Sequence, residues 1–133
     1  MKTKPAKRFS TAKGITTDHS SGLQWAKVGS TARLTHADAV KFCEAFKLGG
    51  HTDWRLPTVE ELRMLVDYKK RDPAIDTKHF TCESASYWSS SPVAGWPDGA
   101  WHVGFGYGDV YCWYRPYELF VRPVRGPVAA PGQ

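Results

Sequence analysis

Between Trp101 and Arg125 the chain reads WHVGFGYGDVYCWYRPYELFVRPVR, two alternating segments around a glycine turn and a third that closes in arginine and proline. Trp101, Val103 and Phe105 recur at period two on one face, with His102, Gly104 and Gly106 on the other, the pattern of a half-buried strand. Asp109 to Trp113 reads as its hairpin partner and Leu119 to Arg125 as a last strand. Tyr107, Asp109, Tyr111, Trp113, Tyr114, Tyr117 and Glu118 place a dense aromatic and polar set around the turns. A chain organised around this stretch needs a scaffold that packs one face of the hairpin and leaves the other side available.

The rest of the chain supplies such a scaffold. Ile15 to Asp18 and Leu23 to Val28 read as two short strands, separated by the turn residues His19-Ser20-Ser21-Gly22. Thr35 is an expected N-cap with Asp38 in the first turn, where a carboxylate complements the helix dipole. Ala37, Val40, Cys43 and Phe46 form a helical stripe and Gly49-Gly50 the stop, which predicts a first helix over about 35–48. Asp53 to Pro57 is extended, because proline biases its predecessor away from helix. Thr58-Val59-Glu60-Glu61 is a capping box, and Leu62, Leu65 and Val66 complete a second helix over about 58–68. Lys69 to Pro73 ends it, and Ile75 and Phe80 anchor the loop that follows. Beyond Thr81 helical periodicity stops, and short aromatic strands begin with Tyr87 to Ser90. Strands, two helices and then a strand meander make an α+β arrangement, with two helices packed on a small, mainly antiparallel sheet and a long irregular C-terminal half.

At 133 residues the chain fits one domain. Its net charge of +5 is unevenly spread, since five of its 18 basic residues (Lys2, Lys4, Lys7, Arg8 and Lys13) precede the first acid. The remaining 13 basic residues match the 13 acidic ones. A nucleic-acid binder carries its basic excess on the body of the domain, so none is expected as a partner. The expected organisation is a basic flexible tail over 1–13, a folded domain over 14–126 and a C-terminal tail over 127–133. Cys43, Cys82 and Cys112 form no metal spacing, and an odd count leaves at least one thiol unpaired; pairing of Cys43 with Cys82 stays open. No apolar run approaches a membrane span and no signal peptide is visible, so a soluble form is expected. Cytoplasm, a phage particle or the cell surface after processing all fit.

Asp53-Trp54-Arg55-Leu56-Pro57-Thr58 with Glu61-Leu62, then Tyr87-Trp88-Ser89-Ser90-Ser91, then Val121-Arg122-Pro123-Val124-Arg125-Gly126, follow one another in order. With Thr17-Asp18, Ser21 to Trp25, the helix carrying Ala39 and Cys43, and Gly49-Gly50, this series resembles the Lcl C-terminal domain family of bacterial and phage proteins. The resemblance covers about 15–126. It implies a C-type-lectin-like fold of the kind shared with the formylglycine-generating enzyme. It also implies kinship with the variable proteins of diversity-generating retroelements, whose C-terminal strands and turns are altered by adenine-directed mutagenesis. The implied frame is Trp101, Val103, Phe105, Gly108, Val110 and Val121 to Arg125, with the intervening positions diversified. Two departures stand out. The chain contains no asparagine, where template-like relatives resemble asparagine-rich strings, and Pro123 replaces a cysteine of the common ending, which removes any disulfide through this strand.

The candidate ligand-binding residues are Trp96, Asp98, His102, Tyr107, Asp109, Tyr111, Trp113, Tyr114, Tyr117 and Glu118. Trp101, Val103 and Phe105 are read as core, whereas a small domain cannot bury so many further aromatics close together. Tyr and Trp give rigid contact area at low rotamer cost while keeping a polar handle. Trp96 to Gly99 is read as a turn, with Asp98, His102, Asp109 and Glu118 as polar contacts around the aromatic anchors. The resemblance implies that Arg55 is a fold-holding residue rather than an active-site arginine, and Arg122 and Arg125 are likewise read as scaffold, on one face of the final strand. Neither a metal nor another cofactor is expected: His79 and Cys82 lack a second pair at ligand spacing, and the calcium signatures of sugar-binding lectins are missing. No nucleophile elbow or committed carboxylate pair is present, so no catalytic residue is assigned. The expected function is non-enzymatic recognition of a protein or cell-surface ligand. The alternatives are an adhesin-like module for sulfated polysaccharide and an oxidoreductase like the formylglycine-generating relatives.

Overall fold

The computed structural model describes residues 7–127, and within them the chain forms two small antiparallel sheets and two helices. The first sheet has the order β1 (Phe9–Ala12), β2 (Ile15–Asp18), β3 (Gln24–Ala26) and β7 (Val124–Arg125). The second has the order β4 (Ser86–Val93), β5 (Trp96–Gly104) and β6 (Asp109–Tyr114), which makes β6 an edge strand. Between the sheets in sequence lie α1 (His36–Ala45) and α2 (Val59–Arg63). The α+β organisation with two helices is therefore as read, and the strand content is divided over two sheets rather than one.

Several boundaries differ from expectation. The tail expected over 1–13 gives way at Phe9, because β1 pairs with β2 from Phe9↔Asp18 to Ala12↔Ile15 and the Phe9 ring enters the core. A basic stretch can still carry a strand when one apolar side chain and one ion pair anchor it, here Phe9 and Arg8 to Asp18 at 3.0 Å. Residues 1–6 and 128–133 of the two expected tails lie outside the described residues. In α1 the Thr35 cap forms, its hydroxyl accepting from the Asp38 amide, but the inward face is His36, Ala39 and Cys43 while Ala37 is exposed. The helix ends at Ala45, before the glycines: Phe46 turns extended and packs edge-on to Trp54 at 5.3 Å. Gly49 and Gly50, both at positive φ, instead form the turn that pairs Leu48 with His51.

In α2 both halves of the capping box form, yet the helix stops at Arg63. Leu65 and Val66 reach the core from the turn beyond it, where the Asp67 amide donates to the Ala74 carbonyl. The turn expected at Trp96 to Gly99 is part of β5, and the reversal lies at Ala94-Gly95, with Val93 facing Trp96. Of the last expected strand only Val124 and Arg125 form a ladder. Leu119 to Val124 threads between segments, bridging to Leu34, Tyr87 and Arg55.

The main core combines Trp25 and Val124 of the first sheet, Leu62 of α2, and Tyr87, Val103 and Phe105 of the hairpin region. A second cluster packs Ala39 and Cys43 of α1 on Trp88, Ala100 and Val121. Arg122 joins the two sheets and is fully buried. Its guanidinium donates to the carbonyls of Ala26 (2.8 Å), Lys27 (2.6 Å) and Thr81 (2.6 Å), and lies over the rings of Phe80 and Tyr87 at 5.3 and 5.4 Å. Arg125, three residues on, faces the surface and pairs with Asp53 at 2.8 Å. The two arginines do not share a face: at period two, a separation of three puts them on opposite sides.

Candidate functional site

The pairing of β5 with β6 fixes the site. Opposed residues share a face of the sheet, and the register sets His102 against Tyr111, Ala100 against Trp113, Gly104 against Asp109 and Gly99 against Tyr114. One face, carrying Val103 and Phe105, is buried in the main core. On the other, Trp88 and Ala100 are covered by α1, and the cover ends before β6. Tyr111 and Trp113 stand on this side, Tyr114 alternates to the opposite face at the end of the hairpin, and Tyr107 and Tyr117 sit on the flanking turns; in the order Tyr107, Tyr111, Trp113, Tyr114 and Tyr117 they are 65, 60, 47, 45 and 53 % exposed. Soluble proteins rarely expose so much contiguous aromatic surface without a use for it.

The ten candidate residues fall into three groups along the hairpin. Trp113, Tyr114 and Tyr117 cluster at its open end, Tyr117 lying 5.2 Å from Trp113 and 6.1 Å from Tyr114 by ring centroids. Trp96 belongs with them. Its ring folds over Gly99, the cross-strand partner of Tyr114, where any β-carbon would collide with it. Asp98 is exposed beside this cluster and its carbonyl accepts from the Arg115 amide at 2.8 Å. Glu118 is also exposed.

At mid-strand, Tyr111 and His102 lie 6.4 Å apart and line a pocket of about 380 Å³ together with Ser86, Cys112, Trp113 and Leu119. Tyr107 stands apart on the turn, roughly 17 Å along the strand from the open end at about 3.3 Å per residue, where Arg71 lies 4.9 Å over its ring. Asp109 is exposed at the start of β6, next to Gly104.

Two expectations need correction. His102 is not a rim contact: it is 7 % exposed, packed edge-on to Trp88 at 6.1 Å, and forms part of the pocket wall. Burial lowers its pKa below the ordinary histidine value, against a smaller opposing effect of the Asp109 charge, so the imidazole is neutral at pH 7. Trp101 is only partly buried, since it sits where the hairpin overhangs α2, near Val59, Glu60, Arg63 and Val110. Sequence reading missed Ser86 and Leu119 as pocket residues. No local signal marks them, because only the β4–β5 register and the path of the 119–124 segment bring them to the hairpin.

Cys43, Cys82 and Cys112 are free thiols. Burial pushes the Cys43 thiol up to about 12, helped by the nearby Glu44 charge. Among the described residues no three His, Cys, Asp or Glu side chains gather as a metal cage. None of their helices is long and apolar enough to cross a membrane. Arg55 forms a bidentate pair with the fully buried Glu61, both bonds at 2.7 Å, and also donates to the Gly126 carbonyl. Its geometry is that of a clamp between α2 and the C-terminal strand.

These features define an α+β domain that presents an aromatic edge hairpin on a core locked by buried arginine contacts. By its sequence the chain belongs to the Lcl C-terminal domain family, whose model matches residues 14–125. No curated protein matches it.

Proposed function

We propose that this chain is a non-enzymatic recognition domain with a C-type-lectin-like scaffold, and that the β5–β6 hairpin and the turn after it bind a protein or cell-surface ligand. The observation that carries this reading is the gathering of five exposed aromatics on one edge strand and its flanking turns, directly above a fully buried frame. Aromatic anchors of this kind supply most of the energy of an interface, and Asp98, Asp109 and Glu118 around them supply direction. Kinship with retroelement variable proteins gives the same residues a second meaning, as positions that change while Val103, Phe105, Val121 and Arg122 stay. The Tyr111→Ala/Trp113→Ala/Tyr114→Ala variant should keep its circular dichroism spectrum and cooperative unfolding while losing partner binding by more than tenfold. Loss of cooperative unfolding would make these residues core instead. A near-copy of the codons for residues 101–125 beside a reverse transcriptase gene is the genomic counterpart of this test.

A second reading, sulfated polysaccharide, is favoured by one feature. Lys7, Arg8, Lys69, Lys78 and His79 line a groove of about 810 Å³ that includes none of the ten candidate residues. Arg8 is committed to Asp18, and Asp67 and Asp76 share the lining, which weakens the groove as an anion site. Salt-dependent heparin retention that survives removal of residues 1–6 and is lost in Lys69→Ala/Lys78→Ala would support it. An oxidoreductase of the copper type needs two cysteines close together. Cys43 belongs to the α1 cluster whereas Cys82 packs against the main core, which counts against a Cys43–Cys82 pair for this third reading.

A further inference from the structure

The mid-strand pocket has a chemistry of its own within the proposed recognition surface, on which this inference rests. Its imidazole, His102, is more than nine-tenths buried, and its buried Nδ1 makes no hydrogen bond among the described residues. A buried polar atom without a partner is uncommon in native proteins and calls for a missing group. The Ser86 hydroxyl, also in the lining, makes no hydrogen bond among the described residues. The same pocket is walled by Tyr111, Trp113 and Leu119.

Those walls and that floor restrict the occupant. Aromatic and aliphatic sides accept a flat apolar ring, offset or edge-on. At about 380 Å³ the space is near the small end of the range of about 300–1,000 Å³ typical of ligand pockets. A neutral imidazole offers one donor and one acceptor, so it pairs with a hydroxyl acting in either sense. Asp109 lies across from Gly104 in the row next to His102, and its charge disfavours a carboxylate, sulfate or phosphate in the pocket. A sugar would bring several hydroxyls, each of which needs a partner, while among the lining residues His102 Nδ1 is the buried side-chain atom left without one. A phenol brings one hydroxyl on a flat ring and leaves nothing unpaired.

We propose that the pocket between His102, Ser86, Tyr111 and Trp113 receives a tyrosine side chain of a protein partner, with its hydroxyl hydrogen-bonded to His102. The tyrosine is then the central anchor of the interface, and Tyr117, 5.2 Å from the Trp113 wall, flanks it.

The test uses the full chain and small probes, following the His102 ring signals by NMR. N-acetyl-tyrosinamide should shift them saturably, and N-acetyl-phenylalaninamide should bind about fivefold more weakly, the loss expected for one hydrogen bond. His102→Phe, followed instead by the Trp113 indole signal, should erase that preference with the ring still bound. Trp113→Ala, which removes an exposed wall, should weaken both probes alike. Equal binding of the two probes, no saturable shift with either, or tighter binding of methyl glucoside would each overturn the proposal, the last by making the pocket a sugar site. Probe failure with partner binding still lost in the Tyr111/Trp113/Tyr114 variant would reject the pocket and leave the surface standing. Partner binding retained in that variant would reject both the surface reading and the tyrosine anchor, because the variant removes two walls of the pocket.

Discussion

At the scale of single residues, the most informative contacts are two arginines that sit far from the aromatic surface. Glu61 is fully buried and serves twice, closing the α2 capping box at the Thr58 amide (2.9 Å) and facing the Arg55 guanidinium. A buried ion pair is weak evidence of net stability, but removing one partner leaves a buried charge. Arg55→Ala is therefore expected to cost about 3 kcal/mol in urea unfolding, more than an exposed pair would. Arg122 solves the opposite problem. It spreads its charge over three backbone carbonyls and two rings, with Nε left without a hydrogen bond among the described residues. The Lys27 carbonyl also accepts from the Thr81 amide at 3.0 Å, and Ala26 stands opposite Ile15 in the β2–β3 ladder, so the buried arginine adds a donor where three segments meet. The Arg-Pro-Val-Arg ending thus acts in holding the two sheets together.

At the scale of elements, β6 shows how a recognition surface is made from an edge. A central strand would need both faces and both backbone edges covered, whereas an edge strand leaves aromatic side chains and backbone groups open to a partner. The turn that delivers β6 is set by Gly108. Its φ is +93°, and a β-carbon there would collide with Val66 Cγ1 and lie 3.2 Å from the Tyr68 ring. Gly108→Ala should therefore destabilise the domain by at least about 1 kcal/mol, seen as a lowered thermal midpoint, since both strain and contact oppose it. The neighbouring Gly106 has space around it, with only Asp72 Oδ1 at 3.8 Å, and serves as the internal control. The same element shows why the strands alternate as they do. Val103 and Phe105 enter the core, and His102, one residue out of phase, is pressed against Trp88 on the other face.

At the scale of the whole molecule, acid is the predicted weakness, in two separate windows. Burial lowers the pKa of both His36 and His102; for His36 a hydrogen bond to the Ser89 carbonyl opposes it. The unfolded chain then binds more protons than the folded one as pH falls below the ordinary value of 6.5, so stability drops from that point toward the lowered folded values. Asp18 behaves as a carboxylate does. Burial works to raise its pKa, but hydrogen bonds from Arg8 and Ser20 outweigh it and the net shift is downward. Its contribution is present above 3.8 and is lost as pH falls through the lowered value. Urea midpoints measured from pH 8 to pH 3 should show an initial fall beginning near 6.5 and a second below 3.8. The first should be shallower in His102→Phe. A flat profile down to pH 4 would mean that the imidazoles are not buried as described.

Much of this molecule could be read from residue order. Period-two alternation placed β5 and β6, and the Thr35 and Thr58 caps placed both helix starts, because these signals are local and act within a few residues. Aromatic excess around the turns foretold side chains that a small core has no room for, and the family resemblance implied Arg55 as a fold-holding residue. Tertiary structure alone decided the rest. Phe46 leaves α1 early to meet Trp54, and Leu65 and Val66 pack from a turn after α2 has ended, since packing energy overrides helix propensity at a boundary. Phe9 draws β1 out of a basic stretch for the same reason. The pocket depends on Ser86 of β4, His102 of β5, Tyr111 and Trp113 of β6 and Leu119 of the threading segment meeting at one place. Its unpaired imidazole is a property of register and burial, which arise between distant parts of the chain and leave no mark in any one of them.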